Sequence, residues 1–219
     1  MMISPDVYYE FELKGRSKTH ILKEIRSLRK NIKNQKEIIE YSRIKPTQWT
    51  APSPFVSIEM NRLYLKEAKR ALEEIGEIYK PSRIGKKGLK FNENINDLKS
   101  IRLRMGYFCK GYMSSKILIG KTDSNITVTD YDDKELNRFS MDNDSFFKSL
   151  SDLYIGEWQS NYSPLRFGMG ALDGIDWILE FSYYGKHNNL EFARGNDYPY
   201  NFKKFIELLG LDAYFDIAL

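Results

Sequence analysis

Residues 101–105, Ile-Arg-Leu-Arg-Met, decide the fold, because the hydrophobic pattern changes here from a helical period to strict alternation. Apolar and basic side chains alternate from one residue to the next, which is typical of a strand with one buried face and one exposed face. Residues 116–119 and 126–129 continue as strand segments and are separated from their neighbours by turn residues. We therefore predict an antiparallel sheet in the second half of the chain.

Two further strands and two short helices are predicted after this point. Residues 177–183 form one strand, and residues 189–192 pair with it across a turn at 185–188. Asp144 is predicted to cap the first helix, and the second helix runs from 199 to 209 and ends at a glycine. The side chains expected to be buried are Phe147, Leu150 and Leu153 in the first helix, and Phe202, Phe205, Ile206 and Leu209 in the second.

The first half of the chain has a strand pattern followed by two helical patterns. Residues 7–13 alternate and predict a strand, and Ser17 is placed to cap the helix that follows. Ser53 and Pro54 predict the start of a second helix, which Lys80-Pro81 should end. Four-three spacing predicts one apolar seam on each helix, formed by Ile21, Ile25, Leu28, Ile32 and Ile39, and by Tyr64, Ala68, Ala71, Ile75 and Ile78.

Two matching seams on consecutive helices predict an antiparallel helical hairpin. Residues 81–100 combine glycines with basic residues, which predicts an exposed linker. The predicted fold class is α+β, with an N-terminal strand and helical hairpin in residues 1–95. An aromatic-rich α+β domain with an antiparallel sheet and two short helices occupies residues 96–219.

Charge is divided unequally between the two halves. Residues 1–105 carry 23 Lys and Arg against 13 Asp and Glu, whereas residues 106–219 carry 11 against 17. Such asymmetry is typical of proteins that bind nucleic acid or an acidic protein partner, and it also allows one half to attract the other. The predicted basic binding face of the first helix consists of Lys23, Arg26, Arg29, Lys30, Lys33 and Lys36.

Composition excludes several classes of protein. The 219 residues are 42% apolar and 14% aromatic, which excludes intrinsic disorder and leaves enough apolar side chains for a core. One cysteine excludes an internal disulfide and a cysteine-based zinc site. The N-terminal residues have no secretion-signal pattern, and no segment has the ~20 apolar residues that span a bilayer. We expect a cytoplasmic protein without a membrane partner.

Aromatic side chains dominate the second half, which contains ten Tyr, ten Phe and two Trp. Tyrosines that alternate outward on an antiparallel sheet can stack on bases or anchor a protein partner, and the alternative is a tyrosine-rich core. The tyrosines predicted as binding candidates are Tyr107, Tyr112, Tyr183, Tyr184, Tyr198 and Tyr200.

Candidate catalytic groups are sparse. The two histidines, His20 and His187, lie far apart in the sequence and fall in a first helical turn and a predicted hairpin loop. Residues 130–144 are rich in aspartate, whose oxygens can hold Mg²⁺ or Ca²⁺, but their register departs from that of an EF-hand. We therefore assign no catalytic residues, no metal ligands and no cofactor, and interpret the acidic region as a solvated turn.

The C-terminal region resembles a family of uncharacterised proteins from low-GC Gram-positive bacteria and their phages and mobile elements. Two segments carry the resemblance, Asp173-Gly174-Ile175-Asp176-Trp177 and Gly195-Asn196-Asp197-Tyr198-Pro199-Tyr200-Asn201-Phe202. The opening of the chain and the linker at 48–54 are similar to the same kind of protein. The resemblance implies a bacterial or phage setting, and it implies no activity.

These observations favour a non-enzymatic interaction protein of a bacterial or phage cytosol that binds a protein partner, for example in host defence. One alternative is a sequence-tolerant nucleic-acid-binding protein that uses the basic helix to contact phosphates. A second alternative is a metal-dependent enzyme that uses the acidic region from Asp130 to Asp144. The oligomeric state stays open.

Overall fold

The computed structural model of the protein describes residues 3–43, 48–49, 51–107, 110–168, 175–185, 187–193 and 197–215. It has the predicted α+β fold class, with a six-stranded antiparallel sheet. The chain divides into two compact units, residues 1–81 and residues 82–219. The sequence-based boundary lay fourteen residues later, after residue 95, because residues 81–95 carry no pattern that we interpreted as helical.

The first unit is entirely helical in its described part. Its elements are α1 (Pro5–Tyr8), a π-helical turn (Tyr9–Leu13), α2 (Lys18–Ser42) and α3 (Pro54–Glu74). The predicted caps are present, because the hydroxyl oxygens of Ser17 and Ser53 accept the backbone N–H groups of His20 and Val56. None of the helices in the described ranges is long and apolar enough to cross a membrane.

The α2–α3 pair forms the predicted antiparallel hairpin. The five predicted seam residues of α2, from Ile21 to Ile39, are all buried. Ile21, Ile25 and Leu28 pack in one cluster with Ala68, Ala71 and Leu72 of α3. The start of α2 therefore lies against the end of α3, and a salt bridge of 2.7 Å between Lys18 and Glu77 closes that end.

The predicted seam of α3 is wrong at its C-terminal end. Helix α3 stops at Glu74, and Gly76 follows with a positive φ of 78°, a conformation that glycine adopts without strain. Ile75 and Ile78 consequently leave the helical path and are 44% and 84% exposed.

The predicted N-terminal strand is also wrong, because residues 5–13 are helical. Ser4 caps α1, its hydroxyl accepting the N–H of Val7 at 3.3 Å, and Pro5 occupies the first helical position. The π-helical turn then brings Tyr8 and Leu13, five residues apart, to the buried side. The alternation in the sequence therefore does not correspond to a buried face, because Val7 and Phe11 are 39% and 69% exposed.

The second unit contains the sheet and its covering helices. Its regular elements are α4 (Arg83–Glu93), β1 (Leu98–Tyr107), β2 (Gly111–Ile119), β3 (Asp123–Thr129), β4 (Glu135–Asp142), α5 (Asn143–Asp152), β5 (Ile175–Tyr183), β6 (Leu190–Ala193) and α6 (Phe202–Leu208). The strand order is β4-β3-β2-β1-β5-β6, and every neighbouring pair is antiparallel. The predicted pairing of residues 189–192 with the strand at 177–183 is confirmed as β6 on β5.

Helix α4 occupies part of the segment that we predicted to be an exposed linker. The hydroxyl of Ser82 caps it by accepting the N–H of Gly85 at 3.2 Å. Another backbone segment approaches the helix closely at Gly88, since an ideal Cβ on Gly156 would lie 2.8 Å from the Cα of Gly88. Phe91 of the same helix packs edge-to-face on Phe181 of β5. Gly88 thus lies at a packing contact inside a helix.

Among the described residues of this unit, the helices cover one face of the sheet. The inward side chains of β1, β2, β3 and β5 form one apolar core with α4, α5 and α6. Trp177, fully buried on β5, lies at its centre and packs on Phe202 of α6 with a centroid distance of 4.8 Å. The outward side chains are mostly exposed or half-buried. This second face therefore presents side chains in an order set by strand register.

Parts of the C-terminal resemblance lie outside the described residues. These are Asp173 and Gly174 in its first segment, and Gly195 and Asn196 in its second. The remaining residues of both segments belong mainly to β5, to α6 and to the turn before α6. Trp177 and Asp197 are joined by a hydrogen bond of 3.0 Å from the indole Nε1–H to the backbone carbonyl oxygen.

Candidate functional site

The outward side of α2 carries the predicted basic face. Lys23, Arg26 and Lys30 are exposed, and none of them has a hydrogen-bond or ion-pair partner in the part of the chain that the structure describes. Their spacing of three and four residues keeps them on one side of the helix, opposite the buried seam. They form an open cationic stripe, which we call the α2 stripe.

The other three predicted basic residues interact with their own unit. The ammonium of exposed Lys33 lies 3.6 Å from the carboxylate of Glu37, one turn further along α2. Arg29 is half-buried and donates to the hydroxyl of Tyr79 at 3.2 Å. Lys36 is half-buried and also has an interaction within the chain. The structure therefore separates three open cations from three engaged ones, which helical spacing alone does not distinguish.

Apolar side chains continue the outward side of α2 beyond the basic residues. Ile38 is 43% exposed and Tyr41 is 37% exposed, although each is large and hydrophobic. Tyr41 follows Lys30 by eleven residues, which is three helical turns and places both on the same side. The outward face of α2 therefore combines cations in its first part with apolar surface near its C-terminal end.

The outward face of the sheet contains a second group of cations that the sequence analysis did not assign. Arg102 of β1 lies directly opposite Lys116 of β2, and both are exposed. Arg104, two residues along β1, is on the same face. We call Arg102, Arg104 and Lys116 the sheet cations. The alternation of residues 101–105 indicated that these arginines face outward, but only the strand register places Lys116 beside them.

The six candidate tyrosines fall into different environments. Tyr198 and Tyr200 are buried, at 9% and 7% exposure, so the structure does not place their rings on an exposed surface as the sequence analysis expected. Both precede α6, and Tyr198 stacks on Phe202 within the core. Tyr183 points to the inner face of the sheet, where burial raises its pKa to about 12. These three rings contribute to packing.

The remaining candidates are exposed to different degrees. Tyr107 is 39% exposed, but it continues the series of inward-facing positions of β1, and its ring stacks on Phe215. Tyr184 follows β5 and is 56% exposed. Only Tyr112 lies on the outward face of the sheet, in line with the sheet cations.

Tyr112 is held in place by a hydrogen bond across a neighbouring strand. Its hydroxyl donates to the Asp176 carboxylate at 2.8 Å, and this hydrogen bond is the main reason that the pKa of Tyr112 is raised. Strand β1 lies between the two residues and contributes Gly106 at that position, so no side chain separates them. The ring is therefore oriented while 40% of the residue stays exposed.

The acidic region from 130 to 144 has structural roles at a turn and a helix start. A carboxylate oxygen of Asp130 accepts the backbone N–H groups of Asp132 and Lys134, which closes the β3–β4 hairpin. Asp142 caps α5, two residues before the predicted cap at Asp144. Among the described residues, no group of three or more His, Cys, Asp or Glu could hold a metal ion.

The Asp142 cap predicts acid sensitivity. The Ser145 backbone N–H bonds to the Asp142 carboxylate and is the first cause of its lowered pKa. A lowered folded-state pKa contributes stability above the ordinary aspartate value near 4, and this contribution is lost as the pH falls through the folded value. Asp142→Asn keeps a capping oxygen without a titrating proton. We expect its melting temperature to fall less than that of wild type between pH 5 and pH 2.5, and equal losses would contradict this role.

Both histidines bond to groups in their own unit. The Nε2 atom of His20 lies 3.1 Å from the backbone carbonyl oxygen of Glu12. The Nε2 atom of His187 lies 3.0 Å from the Asp97 carboxylate and ties the β5–β6 hairpin to the start of β1. Each contact joins a loop or helix terminus to its neighbour.

Comparison with known proteins adds no relative. No protein-family model, no curated protein sequence and no solved structure matches this chain.

Proposed function

We propose that the chain is a non-enzymatic binding protein whose α2 stripe recognises an acidic segment of another protein. The observation that carries the proposal is the state of Lys23, Arg26 and Lys30, which are exposed and have no partner among the described residues. The bacterial or phage cytosol that the sequence resemblance implies is part of this proposal.

The apolar surface beside the stripe favours a protein over a nucleic acid at this face. Protein interfaces typically combine a desolvated apolar or aromatic anchor with charged groups at the rim. Ile38 and Tyr41 supply exposed apolar surface on the side of α2 that carries the cations. A partner segment with carboxylates and one or two apolar side chains would match both parts.

Charge neutralisation on α2 provides the test. We compare wild type with a Lys23→Gln, Arg26→Gln, Lys30→Gln variant as baits in cells of the source organism, with half of each sample treated with nuclease. Steering by several charges changes association rates by 10-fold or more. We therefore expect wild type to capture a partner protein whose amount is unchanged by nuclease treatment. The variant should capture at least ~10-fold less of that protein.

A control variant separates a specific surface from general charge. Lys148 is exposed on α5 in the second unit and has no partner in the described ranges, so Lys148→Gln should capture the same protein as wild type. Loss of the captured protein on nuclease treatment would overturn the proposal, as would equal capture by the α2 variant. Far-ultraviolet circular dichroism verifies that both variants are folded.

A further inference from the structure

The pairing of Arg102 with Lys116 is the starting observation for a second site. Like charges directly opposite each other on neighbouring strands destabilise a sheet. Lys116 has no partner in the described part of the chain, and the only hydrogen bond of Arg102 is a long one of 3.5 Å from Nε to the Ser114 hydroxyl. Glu180 of β5 is the register partner of Arg102 on its other side, but among the described residues its ion-pair contact is with Arg104, at 4.0 Å. The repulsion between Arg102 and Lys116 is therefore offset only in part, and an added anion would relieve it.

Arg104 extends this positive surface toward Tyr112. Its Nη2 atom lies 4.0 Å from the carboxylate of Glu180, at the outer limit of an ion pair. Its Nε atom is buried and has no hydrogen-bond partner among the described residues. This buried nitrogen does not face solvent, but about a third of the Arg104 side chain is exposed, so the side chain can contact an anion at the surface.

Tyr112 adds an aromatic surface to the same face. Tyr112 of β2 lies opposite Gly106 of β1, and Arg104 lies between Gly106 and Arg102 along the same strand. Residues two apart along a strand are separated by about 7 Å, so Arg104 is about 7 Å along the sheet from the Arg102–Lys116 pair and about 7 Å from the level of Tyr112. The hydrogen bond to Asp176 holds the ring in one orientation. Cationic side chains next to an aromatic ring are the combination with which proteins bind unpaired strands.

We propose that this face of the second unit binds single-stranded nucleic acid, with phosphates on Arg102, Arg104 and Lys116 and one base stacked on Tyr112. An unpaired strand is required because bases are available for stacking only outside a duplex. This site is distinct from the α2 stripe and does not depend on the function proposed for it.

Fluorescence anisotropy of the full chain with labelled 12-residue oligo(dT) and oligo(U) tests the proposal. Each neutralised phosphate of a single strand contributes about −0.7 to the slope of log affinity against log salt, so three cations predict a slope of about −2. We expect Arg102→Gln with Lys116→Gln to weaken binding at 50 mM salt at least ~10-fold. For this variant the slope of log affinity against log salt should become shallower, at about −0.7, because one cation remains.

Variants of Tyr112 separate stacking from simple charge attraction. Tyr112→Ala removes the ring and should weaken binding about 10-fold, whereas Tyr112→Phe retains a ring and should keep most of the affinity. Lys148→Gln is the matched lysine control and should bind like wild type. Melting temperatures close to that of wild type verify folding, and Lys116→Gln alone provides a milder variant of the same surface.

Three results would overturn the proposal. These are no binding of either oligonucleotide at 50 mM salt, equal affinity of wild type and the Arg102, Lys116 variant, and loss of binding only when Lys23, Arg26 and Lys30 are neutralised. The last result would place nucleic acid on α2 and would also count against the protein partner proposed there. Failure of the capture experiment alone leaves the oligonucleotide result unaffected, so the two proposals fail separately.

Discussion

Replacing Trp177 by alanine is expected to reduce the free energy of unfolding of the second unit by about 4 kcal/mol. The side chain is fully buried at the centre of the core, so its removal costs transfer free energy and leaves a cavity. The replacement also removes the indole donor to the backbone carbonyl of Asp197. Urea unfolding followed by circular dichroism measures the change, which corresponds to a fall of roughly 10 °C or more in melting temperature.

Two further variants show which part of the indole is responsible. Trp177→Phe keeps a ring in the core but leaves the Asp197 carbonyl without its donor, and should cost about 1–2 kcal/mol. Tyr184→Ala changes an exposed ring just after the same strand and should stay within about 0.5 kcal/mol of wild type. A loss below about 1 kcal/mol for Trp177→Ala would show that this side chain is not in a packed core.

Gly156→Ala is expected to destabilise the second unit by about 2–3 kcal/mol through overpacking. An ideal Cβ at this position would lie 2.6 Å from the Cβ of Phe91, 2.8 Å from the Cα of Gly88 and 2.9 Å from the carbonyl oxygen of Lys87. Two of these three atoms are backbone atoms of α4, so the helix would have to move. Urea unfolding again measures the effect.

Gly88→Ala is the matched control on the facing helix. Its added methyl group would meet the Cγ of Glu157 at 3.3 Å, and that flexible side chain can move aside. Alanine is a better helix former than glycine by up to about 1 kcal/mol. We therefore expect unchanged or slightly higher stability for Gly88→Ala, and a loss as large as that of Gly156→Ala would contradict the asymmetric contact.

Hydrophobic patterns predicted helices and strands reliably where the same repeat continued over several helical turns or over several strand residues. The α2 seam from Ile21 to Ile39 and the alternation at 101–105 each have one dominant buried face, and both predictions are confirmed. Residues 7–13 were misinterpreted because their polar and apolar side chains alternate in sequence by chance, whereas the helical backbone buries Tyr8 and Leu13, which are five residues apart. Helix α4 was missed because glycines, which normally indicate loops, stand inside it, whereas the contact that excludes a side chain is at Gly156 on the segment packed against the helix.

Strand β4 was missed for a different reason. As an edge strand with many exposed side chains, it does not show the clean alternation of a half-buried strand. The residues between Glu135 and Asp142 were therefore grouped with the acidic turn. Edge strands often carry charged residues that discourage pairing with other chains, which weakens their sequence pattern.

The two candidate surfaces differ in how much the sequence can predict. The α2 stripe depends on spacing within one helix, so Lys23, Arg26 and Lys30 could be placed on one side before the structure was known. The sheet cations depend on the register between β1 and β2, and Tyr112 depends in addition on Asp176 of β5. The burial of Tyr198 and Tyr200 likewise depends on how the segment before α6 packs in the core.

The central position of β1 limits how the second unit can be shortened. This strand pairs with β2 on one side and with β5 on the other, although β5 comes after β4 and α5 in the chain. A fragment that stops before Ile175 would lose β5, β6 and α6 together, and β1 would become a sheet edge whose apolar side chains lose their neighbours. Expression of this unit in isolation consequently requires a segment that begins near Ser82 and includes α6.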